Sequence, residues 1–352
     1  MVIRRRVVAL CSAAALLFGS GTLLAQQIKK LSDAQKREIQ EIVKMIDGAA
    51  TTQAAPNDLS LTWVREDVLK ALGNQQYVPF TVSIDPSKLS GGNATIYWRV
   101  VARTPAPPPA AAPANARNEQ NDRKGAKPEY AYEDVGSVSV DSKQGPYGIS
   151  RSFAVGPGSY DVWVVVKEPT PQRPQRNAPP PKVSLIKQAV EVPDLWNGEL
   201  NTSSVFVTQR IDPLPAPLTP QQQVERPYAL GTMEIVPVVE TKFTKKAELS
   251  TLLMIYNVKT DAANKPDVSV EYNFYRKEAG GEKFFNKTSP QSLNAQTLPP
   301  QFDFSAGHQL QSGQAVPLTS FPEGDYRLEI KITDKLGAKS LTRNVNFTVL
   351  GG

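Results

Sequence analysis

Two stretches, Val155-Gly-Pro-Gly-Ser-Tyr-Asp-Val-Trp-Val-Val-Val-Lys167 and Phe321-Pro-Glu-Gly-Asp-Tyr-Arg-Leu-Glu-Ile-Lys-Ile-Thr-Asp334, follow one plan. Each opens on a Pro/Gly turn (Pro157 and Gly158; Pro322 and Gly324), enters a strand at a tyrosine (Tyr160; Tyr326) and places apolar residues at alternate positions. Period-2 alternation marks a strand with one face in a core. Glycine lets the turn take positive φ, and a tyrosine entering a sheet can bond its hydroxyl back to the turn, as in the tyrosine corner of immunoglobulin-like domains. One further strand-like segment follows each copy, Val183–Val192 and Ser340–Val349. The pattern predicts a duplicated sandwich offset by 166 residues, with these six residues defining the repeat.

The copies differ on their second face. Arg327, Glu329 and Lys331 separate the apolar residues of one strand, whereas Trp163 and Val165 separate Val162, Val164 and Val166 in the other. A strand apolar on both faces must be covered twice. The N-terminal helix or the neighbouring domain is the expected cover, and a partner protein the alternative.

Working outward, short β-branched or aromatic segments bounded by Gly, Pro, Asn or Asp run from Leu61 to Ile211, and a second series runs from Tyr228 to Leu350. Many short strands with turn signals between them predict a mostly-β protein of two tandem immunoglobulin-like antiparallel β-sandwiches. Proline-rich sequence at 104–128 and 169–182 reads as loop insertions, and that at 212–227 as an interdomain linker. The expected boundaries are 59–211 for the first sandwich and 228–352 for the second.

Ahead of them, Leu31, Ile39, Ile42, Val43 and Ile46 recur at helical spacing, with Ser32 and Gln35 set as a capping box and Gly48 as the stop. This predicts one short amphipathic helix and a linker within 26–58. Arg4, Arg5 and Arg6 precede an apolar run that ends in small residues near Ala25. Residues 1–25 therefore read as a secretory signal peptide, with a retained anchor as the rival. The expected address is the periplasm or the extracellular side, with no membrane span after cleavage.

Composition narrows the chemistry. His and Cys occur once each, too few for Cys/His zinc sites, and Cys11 leaves with the signal. Loss of the three arginines takes the formal charge from +6 to +3, too small an excess for nucleic-acid binding. P-loop, Rossmann, HExxH, EF-hand and GxSxG motifs are absent. His308 with Asp303 reads as a loop histidine with a local hydrogen bond. No catalytic, cofactor or metal residues are expected.

The stretch Tyr228–Val349, through Tyr228-Ala-Leu-Gly, Glu234-Ile-Val-Pro, Asp267-Val-Ser-Val-Glu-Tyr-Asn-Phe-Tyr-Arg-Lys and the Phe321–Ser340 segment, resembles the β-sandwich module of uncharacterised secreted bacterial proteins that accompanies GWxTD-type or VWFA-related domains. The resemblance implies an exported, non-catalytic module. Neither the GWxTD motif nor a DxSxS metal signature is present, so those partner activities do not carry over.

The function expected is a protein-binding or structural module of the cell envelope, without enzymatic activity, whose partner is another envelope protein or a polysaccharide. One alternative is a carbohydrate-binding module that stacks sugars on exposed rings among Tyr97, Trp98, Trp163, Trp196, Phe284 and Phe285; Trp196, in the turn Pro193-Asp-Leu-Trp-Asn-Gly, is the ligand-contact candidate. A second is a carboxylate-pair hydrolase. A third is an assembly component that docks a partner through the helix stripe.

Overall fold

The computed structural model describes residues 33–52, 55–103, 130–141, 145–170 and 179–351. The signal peptide, the Ser32–Gln35 cap and most of the two proline-rich insertions lie outside the described side chains. The chain is mostly β, with antiparallel sheets and few helices. It divides into an N-terminal unit (33–66 and 80–194) and a C-terminal unit (67–79 and 195–351).

In chain order the first elements are α1 (Asp33–Thr52), β1 (Thr62–Glu66), β2 (Leu69–Lys70), β3 (Gln76–Ile84), β4 (Asn93–Ala102), β5 (Tyr132–Ser139), β6 (Tyr147–Val155), β7 (Gly158–Lys167) and β8 (Val183–Val192), of which β2 and the start of β3 belong to the C-terminal unit. Strands β1, β2, β3 and β6 make one sheet, in which β3 pairs with each of the others, and the second has the order β5-β4-β7-β8. Between them Phe80 stacks on Trp63 at 5.0 Å and meets Trp98 and Phe153 near 6 Å.

The C-terminal elements are β9 (Asn201–Thr202), β10 (Phe206–Pro213), α2 (Pro220–Gln223), β11 (Ala229–Leu230), β12 (Met233–Pro237), β13 (Lys242–Thr244), β14 (Glu248–Tyr256), β15 (Asp267–Glu278), β16 (Gly281–Lys287), β17 (Gln291–Asn294), β18 (Leu310–Pro317), β19 (Gly324–Asp334) and β20 (Lys339–Leu350). Here β11-β12-β10-β14-β18, with β9 beside β14, make one six-stranded sheet, and β13-β20-β19-β15-β16, with β17 beside β15, make the other. Tyr272, Phe274, Phe321 and Phe347 fill the core between them. Counted in sequence, the first, second and fifth main strands pair in both units, and the third, fourth, sixth and seventh pair in both.

The repeated turns have the same geometry. The Tyr160 hydroxyl donates to the Gly156 carbonyl at 2.9 Å, and that of Tyr326 to the Pro322 carbonyl at 2.7 Å. Gly158 and Gly324 sit at φ 153° and 140°, where a side chain is strained.

A second shared device closes the far end of the same strand. The Glu168 carboxylate accepts from the backbone N–H groups of Ser90 (2.5 Å) and Lys182 (2.9 Å), and that of Asp334 from Lys259 (2.8 Å) and Gly337 (3.0 Å). In each unit one acid thus ties the loop after the second main strand to the connection after the sixth. Burial works to raise the Glu168 pKa, but the N–H bonds from Ser90 and Lys182 prevail and hold it below the ordinary value. At Asp334 the fit is tight: a Cβ on Gly337 would lie 2.4 Å from its carboxylate.

Several boundaries differ from those expected. The strand expected to close the first sandwich, β10, pairs instead with β12 and β14 of the second, so the stretch expected as a linker lies inside the C-terminal unit. Residues 67–79 also group with that unit. They form a hairpin, with Leu69 opposite Tyr77 and Gly73 and Asn74 both at positive φ. Hydrogen bonds hold it there: the Tyr228 hydroxyl to Asp67 at 3.0 Å, the Tyr77 hydroxyl to the Pro227 carbonyl at 2.9 Å, and Val68 N–H to the Ser204 hydroxyl at 2.9 Å. Alternation reports which face of a strand is buried, not which sheet the strand joins. Helix α1 runs past Gly48 because Ala49 extends the buried stripe of Ile42 and Ile46, and packing outweighs the helix penalty of one glycine. The segment that begins at Tyr228 folds back at Gly231 into β11 and β12.

Candidate functional site

The outward side of the sheet that holds β7 in one unit and β19 in the other differs between the two units. In the N-terminal unit α1 lies on it: Ile42, Ile46 and Ala49 pack against Tyr97, Trp163, Val165 and Leu185. The helix is therefore the second cover that Trp163 and Val165 require.

Two cations border this contact. The Arg99 guanidinium, with a side chain 2% exposed, lies 3.2 Å from Asp47 of α1, donates to the Tyr97 hydroxyl at 3.0 Å and sits 3.7 Å over the Tyr130 ring. The Lys167 ammonium lies 3.5 Å from Glu38 and 3.8 Å from Glu41. The Tyr97 hydroxyl donates to Glu133 at 2.8 Å, and burial, reinforced by that carboxylate, pushes its pKa far above the ordinary value.

In the C-terminal unit the corresponding face carries Glu271 and Asn273 on β15 beside Glu329 and Lys331 on β19. One row of it is not simply polar. Phe284, Tyr275 and Arg327 stand opposite one another on β16, β15 and β19. Phe284 is 57% exposed and meets the Tyr275 ring edge-on at 5.9 Å, while the Arg327 guanidinium lies 4.4 Å over that ring. Glu282, Glu329 and Asn344 accept from Arg327 at 2.8, 3.0 and 2.7 Å. Burial alone would lower the Arg327 pKa, but these two carboxylates raise it, so the charge is fixed in place. Such a row offers an exposed apolar ring, a supported second ring and an immobilised guanidinium, which suits contact recognition rather than proton transfer.

Trp196 has a different setting. Its indole N–H donates to the Gln75 carbonyl at 3.0 Å, and the Lys70 ammonium lies 4.0 Å over its ring while donating to Asn257 at 2.7 Å. The ring ties the 67–79 hairpin into the C-terminal unit, and Lys70 occupies one of its faces. Of the other rings named from sequence, Tyr97 and Trp98 are buried, Trp163 lies under α1, and Phe285 packs on Phe321 and Tyr326. They do not form a flat exposed platform.

His308 accepts through Nδ1 from the Asp303 backbone N–H at 3.0 Å, and the Asp303 carboxylate takes Ser305 and Asn264, so the pair makes local loop bonds. Among the described residues no cluster of three His, Cys, Asp or Glu is placed to hold a metal ion, and no helix is long and apolar enough to cross a membrane.

Phe284 is among the rings named from sequence, but the row is not legible there: Tyr275 meets it across the β15–β16 hairpin, and Arg327 joins them from β19 only through strand register. Glu168 and Asp334 do carry one: each follows its tyrosine, Tyr160 or Tyr326, at the same distance.

No family model matches the chain, and no curated protein matches it. Among solved structures the chain is similar to a Salmonella alpha-2-macroglobulin mutant (12% identity, TM-score 0.19, covering 84% of this chain and 17% of that one). It is also similar to trypsin-activated alpha-2-macroglobulin from Escherichia coli (12%, 0.22, 85% and 17%) and to the native form of the Escherichia coli protein (13%, 0.20, 84% and 16%). The chain thus spans 16–17% of the length of these structures.

Proposed function

We propose that this chain is an exported, non-catalytic protein-binding module of the cell envelope that works through the open outer face of the C-terminal sheet built on β15, β16 and β19. The observation that carries the reading is the Phe284–Tyr275–Arg327 row. Its residue types are those that dominate protein interfaces, and the guanidinium is already held in one geometry, so little side-chain freedom is lost on contact. The partner is another envelope protein. The signal-like N-terminus and the resemblance of Tyr228–Val349 to modules of secreted bacterial proteins belong to the same proposal.

A polysaccharide partner is less well served: of the rings named, Phe284 stands exposed, Trp196 has Lys70 on one face and the others pack against neighbours, so no flat platform forms. Two variants test the reading. A photocrosslinker at Phe284 should capture one dominant protein in the native envelope, and the same group at Thr62, outside the row, should not. Phe284→Ala should weaken binding of that protein at least about tenfold, the scale of one interface anchor. Equal capture at both positions, or binding of a polysaccharide instead, would contradict the proposal.

A further inference from the structure

The last strands of the two repeats, β8 and β20, flank β7 and β19 in the same register, which makes Val183 equivalent to Ser340, Leu185 to Thr342 and Lys187 to Asn344. In an antiparallel ladder every second residue turns its N–H and C=O away from the partner strand. In the N-terminal unit the first of these groups are met by the chain leaving α1. Leu185 N–H donates to the Pro56 carbonyl at 2.8 Å, the Val183 carbonyl accepts from Asp58 N–H at 3.1 Å, and Val183 N–H donates to the Asp58 carboxylate at 3.0 Å. Asn57 lies opposite Ser184 in antiparallel sense. Further along, Lys187 and Glu191 place charges on the edge, which discourages pairing.

The C-terminal unit treats the same edge differently. Thr348 N–H donates outward to the Thr241 carbonyl at 2.9 Å, so by the unbroken register with β19 the other outward residues are Ser340, Thr342, Asn344 and Asn346. Strand β13 takes this edge only from Thr348 to Leu350. The lead-in to the first main strand, Asn201–Thr202, pairs with β14 of the opposite sheet instead of following β20. Among the described residues no strand lies along Ser340–Asn346. The four outward residues are exposed and uncharged, and none is proline. Arg343 faces inward, donating across the sandwich to Thr202 Oγ1 at 2.8 Å and Asn201 Oδ1 at 2.7 Å; its 3.4 Å approach to the Thr342 carbonyl is its one contact with the edge.

We infer that the β20 edge from Ser340 to Asn346 is completed by an extended segment of another protein, laid antiparallel as residues 56–58 are laid on β8. The outward backbone groups hold the segment, and alternate side chains select it. Its residues opposite Leu341 and Val345 turn toward the core, on which Leu341 packs and to which Val345 belongs, and those between them turn to solvent beside Thr342 and Asn344. The fitting partner is therefore a proline-free strand that alternates apolar and polar residues. It joins the opposite edge of the sheet from β16, so this site and the Phe284 row can each fail without the other.

Residue-resolved amide exchange of the full chain tests the inference. Without a partner, the Thr342, Asn344 and Asn346 amides should exchange at least about tenfold faster than those of Arg343 and Val345, which bond β19, and than that of Leu185, which bonds Pro56. A synthetic peptide of alternating valine and threonine, flanked by lysines, should slow those three amides at least about tenfold. The same peptide with two central prolines should not. Thr342→Pro removes an outward N–H and no bond to β19, and should weaken the peptide about tenfold, while Phe284→Ala should leave its binding unchanged. Outward amides already slow in the peptide-free chain, no slowing by the alternating peptide, or equal binding to Thr342→Pro would each overturn the inference. Should Thr342→Pro not fold, the exchange pattern of the unsubstituted chain with and without peptide still decides.

Discussion

Glu329 and Lys331 on β19 hold the places that Trp163 and Val165 hold on β7, although both strands start from the same turn, carry the same tyrosine and end on the same kind of carboxylate. The difference separates what the sandwich needs from what it is free to vary. Its interior uses alternate positions of the strand, and those are apolar in both units. The outward positions follow whatever meets them: a helix with an apolar stripe in one unit, water in the other. The binding surface we propose is accordingly in the unit whose outward face has been left open.

Exchanging the outward residues should have the largest effect. Val165→Lys puts an unpaired ammonium under α1 at a position fully buried in the wild type, and should cost about 3–5 kcal/mol or unfold the N-terminal unit. Lys331→Val at the equivalent place should stay within about 0.5 kcal/mol. Urea titration followed by tryptophan emission checks both, because Trp63, Trp98 and Trp163 lie in the N-terminal unit and Trp196 in the other. If the two substitutions cost the same, the outward faces are not differently used.

The carboxylate ties come next. Glu168→Ala and Asp334→Ala each leave two backbone N–H groups without their acceptor and should cost about 2–4 kcal/mol. The two costs should agree within a factor of two; a loss confined to one unit would make the shared tie incidental. Acid should remove the Glu168 contribution, since its folded pKa lies below its unfolded value: the contribution is complete above pH about 4.5 and disappears as pH falls through the lower folded value.

Tyr160→Phe and Tyr326→Phe remove one hydroxyl from each turn and should cost about 1 kcal/mol apiece, read as matching shifts in the two unfolding transitions. The smallest effect is expected within the N-terminal core. Burial, the leading influence, raises the Asp134 pKa above its ordinary 3.8, so its ionisation weakens the folded state as pH rises through that region. Asp134→Asn should therefore raise Tm at neutral pH and lose that advantage near pH 3. A benefit independent of pH would show that the carboxyl is not strained by its charge.

The repeat was legible because its signals are local: a turn, a tyrosine and alternation all fall within one strand. The need for a cover over Trp163 and Val165 was equally plain, since no β-strand exposes such a face unaided. What the sequence concealed are the facts decided by pairing. Phe206–Pro213 has the same alternation whichever sandwich it completes, and 67–79 reads as a hairpin without showing that Tyr228 and Pro227 receive it. β18, with Gln, Ser and Gly in its run, carries too weak a strand signal to be expected at all, and only its register with β14 reveals it. Trp196 drew notice as a turn aromatic, but Lys70 and Gln75, which define its setting, are distant in sequence.

Thiol labelling of the two outward faces puts the whole comparison in one measurement. In a Cys11→Ser background the chain has no thiol, and Trp163→Cys and Glu329→Cys introduce one at equivalent places on β7 and β19. Glu329→Cys, partly exposed in the undisturbed chain, should react at least about tenfold faster than Trp163→Cys, which stays protected until Ile42→Asp dislodges α1 and then reacts at a similar rate. Equal reactivity of the two in the undisturbed chain would contradict this difference.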